Sequence, residues 1–222
     1  MSATRVLEVH KPLLGKNASQ AAANRQRFHD AGVAVVNLLA SPGAGKTALL
    51  ERTLTDLQSE LRIGVIVGDL ATDNDARRLE GRNGAIIQIT TGTVCHLEAD
   101  MIAHGVDSLD LGDLDLLFIE NVGNLVCPAA FDLGEDIRTV LLASTEGEDK
   151  PLKYPTVYRS ADLVVLTKLD IASAVGCDVS LARRNASIAA PRASWLEVSA
   201  RTGTGMAEWY DALRRLCAGP KR

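Results

Sequence analysis

With 222 residues, 46% hydrophobic and 23% charged, the chain has the composition of one globular domain, long enough to bury about 70% of its unfolded surface without staples. A formal net charge of −4 and a pI near 5.6 exclude the basic stripe that neutralises nucleic-acid phosphates. No run approaches the roughly 18 apolar residues that cross a bilayer, and the first residues hold no signal-peptide core. Cys95, Cys127, Cys177 and Cys217 are scattered and do not read as a disulfide framework. A cytoplasmic, reducing setting is therefore expected, with thiols free to ligate metal.

In chain order, residues 17–28 read as an N-capped, Ala-rich helix within an N-terminal segment, 1–32, packed on the flank of the fold. Seven mostly continuous apolar runs follow, at 33–40, 62–69, 85–90, 114–120, 139–144, 162–168 and 194–199. Such runs are strands buried on both faces, as in a parallel sheet. Helical patterns lie between them at 45–61, 72–82, 95–105, 178–190 and 205–217. Strand–helix alternation of this kind predicts a three-layer α/β fold, a doubly wound and mostly parallel sheet of about seven strands, formed by residues 1–222 as one domain. The charged stretch 145–160 is the longest segment without a pattern of its own, and such loops are usually functional or mobile.

The stretch VNLLASPGAGKTALL joins the first strand to the first long helix and carries Gly43, Ala44, Gly45, Lys46, Thr47 and Ala48. Glycines let backbone N–H groups wrap a β-phosphate, and the helix N-terminus adds partial positive charge. Lys46 reaches the β/γ oxygens and the Thr47 hydroxyl ligates Mg²⁺. The phosphate-loop pattern is met except at its first position, where Ala40 stands for Gly. Past a later strand, LVVLTKLD places Thr167, Lys168 and Asp170 where a base-reading loop belongs. The Asp170 carboxylate would accept from guanine N1–H and N2–H₂, and the Lys168 stem would lie over the purine. Thr167 stands where GTPases commonly have Asn, and its shorter hydroxyl supports the loop less well. The backbone at Ser199 and Ala200 offers an N–H to guanine O6. The nucleotide expected is GTP.

Asp69 ends the second strand, where a carboxylate holds Mg²⁺ through water or orients the attacking water. Asp73 and Asp75 behind it serve equally well as acids that favour a helix N-terminus. Glu120 and Gly123 occupy the place where many nucleotide hydrolases put Asp-x-x-Gly, the acid toward Mg²⁺ and the glycine N–H toward a γ-phosphate. A longer Glu favours a water-mediated contact. Cys95 and His96 lie together ahead of a helix, and Cys127 lies beyond the next strand. Two thiolates and an imidazole suit Zn²⁺ or Ni²⁺, although a lone Cys is as often a small buried hydrophobe. Three ligands leave a coordination position that a two-fold dimer would fill. Glu98, Asp100 and His104 are further ligand candidates that a helix surface explains equally well.

The segments SPGAGKT, GDLATDNDARR, TTGTVCHLEADM, LDLLFIENVGNLVCPAAFDLGE, STEGEDKPLKYP and SARTGTGM, in this order, resemble the HypB family of nickel-incorporation GTPases. The Cys-Pro-His signature of the related UreG family is absent. The resemblance covers nearly the whole chain and implies a metal-regulated SIMIBI-class P-loop GTPase that dimerises on GTP. It further implies a Zn²⁺ or Ni²⁺ site of Cys95, His96 and Cys127 at the dimer seam, and a role in [NiFe]-hydrogenase maturation. The partners it implies are a HypA-type accessory protein and the hydrogenase large-subunit precursor. It places the DKPLKYP loop near nucleotide and dimer interface, so that Lys153 would reach the partner subunit's phosphates. The Cys-rich or His-rich N-terminal tract of some members is missing, so no additional N-terminal nickel site is expected. Two rivals stand beside this reading. One is a metal-binding module in which nucleotide only drives dimer assembly, and the other an accessory GTPase for a different nickel enzyme such as urease.

Overall fold

A computed structural model describes residues 11–71, 74–81 and 84–219. The elements run α1 (Lys11–Ala31), β1 (Ala34–Leu39), α2 (Lys46–Leu57), β2 (Ile63–Asp69), α3 (Asn74–Leu79), β3 (Gly84–Thr90), α4 (Ala99–Val106) and β4 (Leu116–Glu120). They continue with β5 (Ile137–Ala143), α5 (Lys150–Lys153), α6 (Pro155–Arg159), β6 (Leu163–Thr167), α7 (Val179–Ala189), β7 (Ser194–Glu197) and α8 (Met206–Ala218). All seven expected strands form one sheet in the order β3-β2-β4-β1-β5-β6-β7, and every pairing in it is parallel.

The apolar runs are continuous because each strand feeds two cores at a period of two. Val36, Leu38, Leu116, Phe118, Val65 and Leu141 face α2, α3 and α8, where Trp209 and Leu213 close the layer. Val35, Leu117, Ile119 and Ile66 face the opposite way, toward Phe28 of α1 and Ile102 of α4. On that same face Val140 and Val164 meet Val157 and Tyr158 of α6 and Ala186 and Ala189 of α7. β1 lies between β4 and β5, so the loop leaving its C-terminal end opens at the crevice where α/β sheets bind ligands.

Two expectations are corrected. Residue 17 does not cap its own helix, because α1 is already helical from Lys11. Asn17 instead accepts from Ala99 N–H at 2.8 Å and donates to the Asp132 carbonyl at 2.8 Å, so it caps α4 from a distance. Residues 145–160 are not structureless, since α5 and α6 occupy them, each opened by a proline in its first turn. The segment is tied to its neighbours, with Asn185 of α7 donating to the Glu148 carbonyl at 2.9 Å.

Candidate functional site

The phosphate loop crosses from β1 to α2 with Gly43 at φ 71° and Gly45 at φ 99°, a left-handed backbone that only glycine adopts freely. Lys46 and Thr47 follow as the first buried residues of α2. Around them is a cleft of about 480 Å³ lined by Gly43, Gly45, Lys46, Thr47, Ala48, Asp69, Asp75, Arg78, Glu120, Gly123 and Lys168. Gly123 approaches the loop so closely that a Cβ there would meet Pro42 Cα at 3.0 Å. A side chain at 123 would push the two loops apart.

Glu120, at the tip of β4, is 2% exposed. Thr47 Oγ1 donates to its Oε1 at 2.8 Å, while Oε2 has no hydrogen-bond partner. Burial drives its carboxyl up to about 7, against the pull of the Lys46 ammonium and the Thr47 hydroxyl. A buried carboxylate oxygen without a partner, beside a threonine hydroxyl, fits a hard divalent cation. Asp69 lines the same cleft and accepts from Ala71 N–H at 3.0 Å. Asp75 also lines it, 3.6 Å from Arg78, which reaches Glu51 at 2.6 Å. Residue 73 lies outside the described residues.

A second pocket of about 310 Å³ shares Gly45, Ala48 and Lys168 with the cleft and adds Thr167, Asp170, Val198, Ala200 and Arg201. It is largely apolar between Leu49, Ile171 and Val198. Lys168 sits at φ 57°, the one non-glycine with positive φ among the described residues. Such strain concentrates where a loop is held for function. Thr167 Oγ1 donates to the Ala44 carbonyl at 2.6 Å, so the hydroxyl ties the base loop directly to the phosphate loop. Ser199 Oγ donates to Asp170 Oδ1 at 2.7 Å and orients the carboxylate. The Ser199 N–H is taken by the Thr204 carbonyl at 2.8 Å, which leaves the Ala200 N–H as the donor of that pair.

Cys95, His96 and Cys127 converge, with ligand atoms all within 4.8 Å of one another. Two thiolates on one tetrahedral zinc lie about 3.8 Å apart, from Zn–S bonds of about 2.3 Å. The 4.8 Å upper bound is compatible with all three atoms sharing one ion. Cys95 and His96 occupy the bend ahead of α4, and Cys127 opens a 3₁₀ turn, Cys127–Ala130. The Cys127 thiol beside it, together with burial, pushes the Cys95 thiol up. Both ring nitrogens of His96 are buried without a hydrogen-bond partner. Glu98 Oε1 lies 3.4 Å from Nε2, though not aligned for a hydrogen bond. Phe131 stacks on the imidazole with ring centroids 4.0 Å apart. An imidazole whose two nitrogens are buried and orphaned, beside two thiols, fits a borderline-soft ion.

Lys153 is absent from the residues lining its own chain's cleft. It is exposed and pairs with Asp149 at 2.7 Å. Sequence reasoning missed Asn121, Arg78, Arg201 and Phe131 as neighbours of these sites. Asn121 and Arg201 directly follow the site residues Glu120 and Ala200, and Arg78 lies on the helix after Asp69, whereas Phe131 had no such local signal.

The family model of the CobW/HypB/UreG nucleotide-binding domain matches residues 34–196. The hydrogenase maturation factor HypB of Rhizobium leguminosarum bv. viciae is 50% identical over 210 residues, covering 95% of this chain and 70% of that protein. Among solved structures, HypB from Archaeoglobus fulgidus superposes with a TM-score of 0.86 at 41% identity, covering 91% of this chain and 99% of that one. HypB from Helicobacter pylori, solved in complex with nickel, gives a TM-score of 0.87 at 38% identity, with 91% and 95% covered.

Proposed function

The chain belongs to the CobW/HypB/UreG family, among its HypB members, and from that membership we propose a metal-regulated GTPase that delivers nickel during [NiFe]-hydrogenase maturation. One observation carries the reading. The segment from Glu120 to Cys127 has its first residue in the phosphate cleft and its last in the thiol–imidazole trio.

In this reading the loop amides around Gly43 and Gly45 hold the phosphates, and the Lys46 ammonium neutralises charge that builds on the β/γ bridge. Thr47 and Glu120 would hold Mg²⁺, and Asp69 would reach it through water or orient the attacking water. When bound, Mg²⁺ would supply positive charge to the phosphate oxygens. Gly123 N–H senses the γ-phosphate. Asp170, oriented by Ser199, reads guanine against adenine, Lys168 lies along the ring, and the Ala200 N–H meets O6. Cys95, His96 and Cys127 hold the cargo ion, nickel or zinc. Two copies pair when GTP binds and place these trios at the seam, with Lys153 of each reaching across. A HypA-type protein and the hydrogenase large-subunit precursor are the partners, in the cytoplasm.

Phosphate release with Mg²⁺, and mass by size-exclusion light scattering, test this. GTP should be hydrolysed at least tenfold faster than ATP, since a site built to hydrogen-bond a ligand's N–H groups rejects analogues lacking them. A non-hydrolysable GTP analogue should double the mass seen with GDP. Equal use of ATP, or an unchanged mass, contradicts the proposal.

A further inference from the structure

Cys127 shares a segment with Glu120, but Cys95 and His96 come from a different one. Asn121 joins them. It directly follows Glu120, is 1% exposed, and its N–H bonds the Leu38 carbonyl at 3.1 Å, extending the β1–β4 ladder. Its side-chain Oδ1 accepts from Leu97 N–H at 3.2 Å and from Val122 N–H at 3.0 Å. Leu97 follows His96 immediately and is itself buried against Ile66 and Ile119.

The other end of the amide starts a buried polar chain. Asn121 Nδ2 reaches Asn37 Oδ1 at 3.4 Å, and Asn37 Nδ2 donates to Glu135 Oε1 at 3.1 Å. Glu135 pairs with Arg138 at 2.7 Å. The Arg138 guanidinium donates to the carbonyls of Ala129 at 3.1 Å and Phe131 at 2.8 Å. Phe131 is the ring stacked on His96. The chain thus grips both sides of the trio, at the amide after His96 and at the carbonyls after Cys127.

We propose that Asn121 is the positioning residue that transmits nucleotide state to the metal ligands, by binding the Leu97 amide to the residue after Glu120. A buried N–H left without its acceptor is costly, so a displacement of Glu120 moves the Cys95–His96 bend rather than breaking the bond. Coupling between two sites is reciprocal, so metal held by His96 in turn biases Glu120. The inference rests on the nucleotide and metal assignments proposed above.

The test measures the Zn²⁺ dissociation constant of the full chain by chelator competition, once with GDP and once with a non-hydrolysable GTP analogue, Mg²⁺ present. The ratio of the two is the linkage factor. Wild type should give a factor of about five or more, as site couplings typically do. Asn121→Ala should bring it within about twofold of one, while GDP affinity stays within about threefold of wild type. Asn121→Asp, which retains an acceptor for Leu97 and Val122 but loses the donor to Asn37, should keep the factor while lowering stability, because the Leu97 bond carries the coupling. A full wild-type factor in Asn121→Ala, or a wild-type factor of one with both ligands bound, overturns the proposal. Failure of wild type to bind nucleotide or zinc at all overturns the functional reading beneath it. Should Asn121→Ala not fold, amide exchange at residues 95–98 of wild type decides. The GTP analogue should slow exchange at Leu97, and unchanged exchange overturns the proposal.

Discussion

The nucleotide cleft and the metal trio are served by one short segment, yet they are made differently. Lys46, Thr47 and Glu120 are buried residues seated at the ends of α2 and β4, with left-handed glycine backbone between strand and helix. Cys95, His96 and Cys127 are half-buried on a bend and a 3₁₀ turn, and Val126 beside them is 64% exposed. Rigid, dry surroundings suit phosphoryl chemistry, where fixed dipoles act most strongly. An ion that must be received and handed on needs ligands near solvent. The contrast teaches that the shared segment is anchored at its Glu120 end and open at its Cys127 end.

The largest effect should come from the anchored side. Lys46→Ala should lower the rate of GTP hydrolysis by about 10²–10³, the usual cost of removing one transition-state charge contact. Zn²⁺ affinity measured without nucleotide should be unchanged, which keeps the two regions distinct. A loss of both would merge them.

Glu120 sharpens the comparison through pH. Its folded pKa of about 7 exceeds the unfolded value of about 4.3. Between these values the folded state binds the extra proton, so in ligand-free protein stability from this group is greatest at low pH and declines as pH rises toward 7. The cost of holding the charge is about 3–4 kcal/mol at most. Glu120→Gln should therefore raise the melting temperature in EDTA at pH 8 by several degrees, flatten the decline between pH 5 and 7 (roughly the interval separating the two pKa values), and weaken Mg²⁺-dependent nucleotide binding. A lower melting temperature at pH 8 would mean that Glu120 is stabilised as an anion by the cleft itself.

A smaller effect is expected in the base pocket. Asp170→Asn should exchange preference from GTP toward xanthosine triphosphate by about 10–100-fold, since the amide then donates where the carboxylate accepted. Competition against a fluorescent GDP analogue reads this directly, and retained guanine preference would remove Asp170 from base reading. Smallest of these is Asn17→Ala, which strips the cap from α4 and leaves the Ala99 N–H unpaired. It should cost about 1–2 kcal/mol in denaturant unfolding and leave GTP affinity untouched. A mutation without thermodynamic effect would show that α1 contributes little to holding the bend that carries Cys95.

Much of this was legible in the sequence, for physical reasons. Strands buried on both faces write themselves as unbroken apolar runs, and glycine-rich loops before a Lys-Thr helix start allow few other readings. The misreadings share a cause. Asn17 looks like any N-cap residue, and only the fold reveals that the helix it caps begins at Ala99. In residues 145–160 charge masks the pattern, although Pro151 and Pro155 each mark a helix start. The polar chain through Asn121, Asn37, Glu135 and Arg138 left no trace, because its bonded partners lie up to 98 positions apart and each looks like an ordinary polar residue near a strand. The length of Thr167 suggests a weaker support, yet its hydroxyl reaches the phosphate-loop carbonyl of Ala44.

The central claim is that metal bound at the open end of the segment acts on chemistry at its anchored end. Steady-state GTP hydrolysis by wild type and by Cys127→Ala, each with and without saturating Zn²⁺ or Ni²⁺, tests it most directly. The account predicts that metal changes the wild-type rate, and that Cys127→Ala binds metal more weakly, keeps its metal-free rate and no longer responds to metal. A full metal response in Cys127→Ala would contradict it.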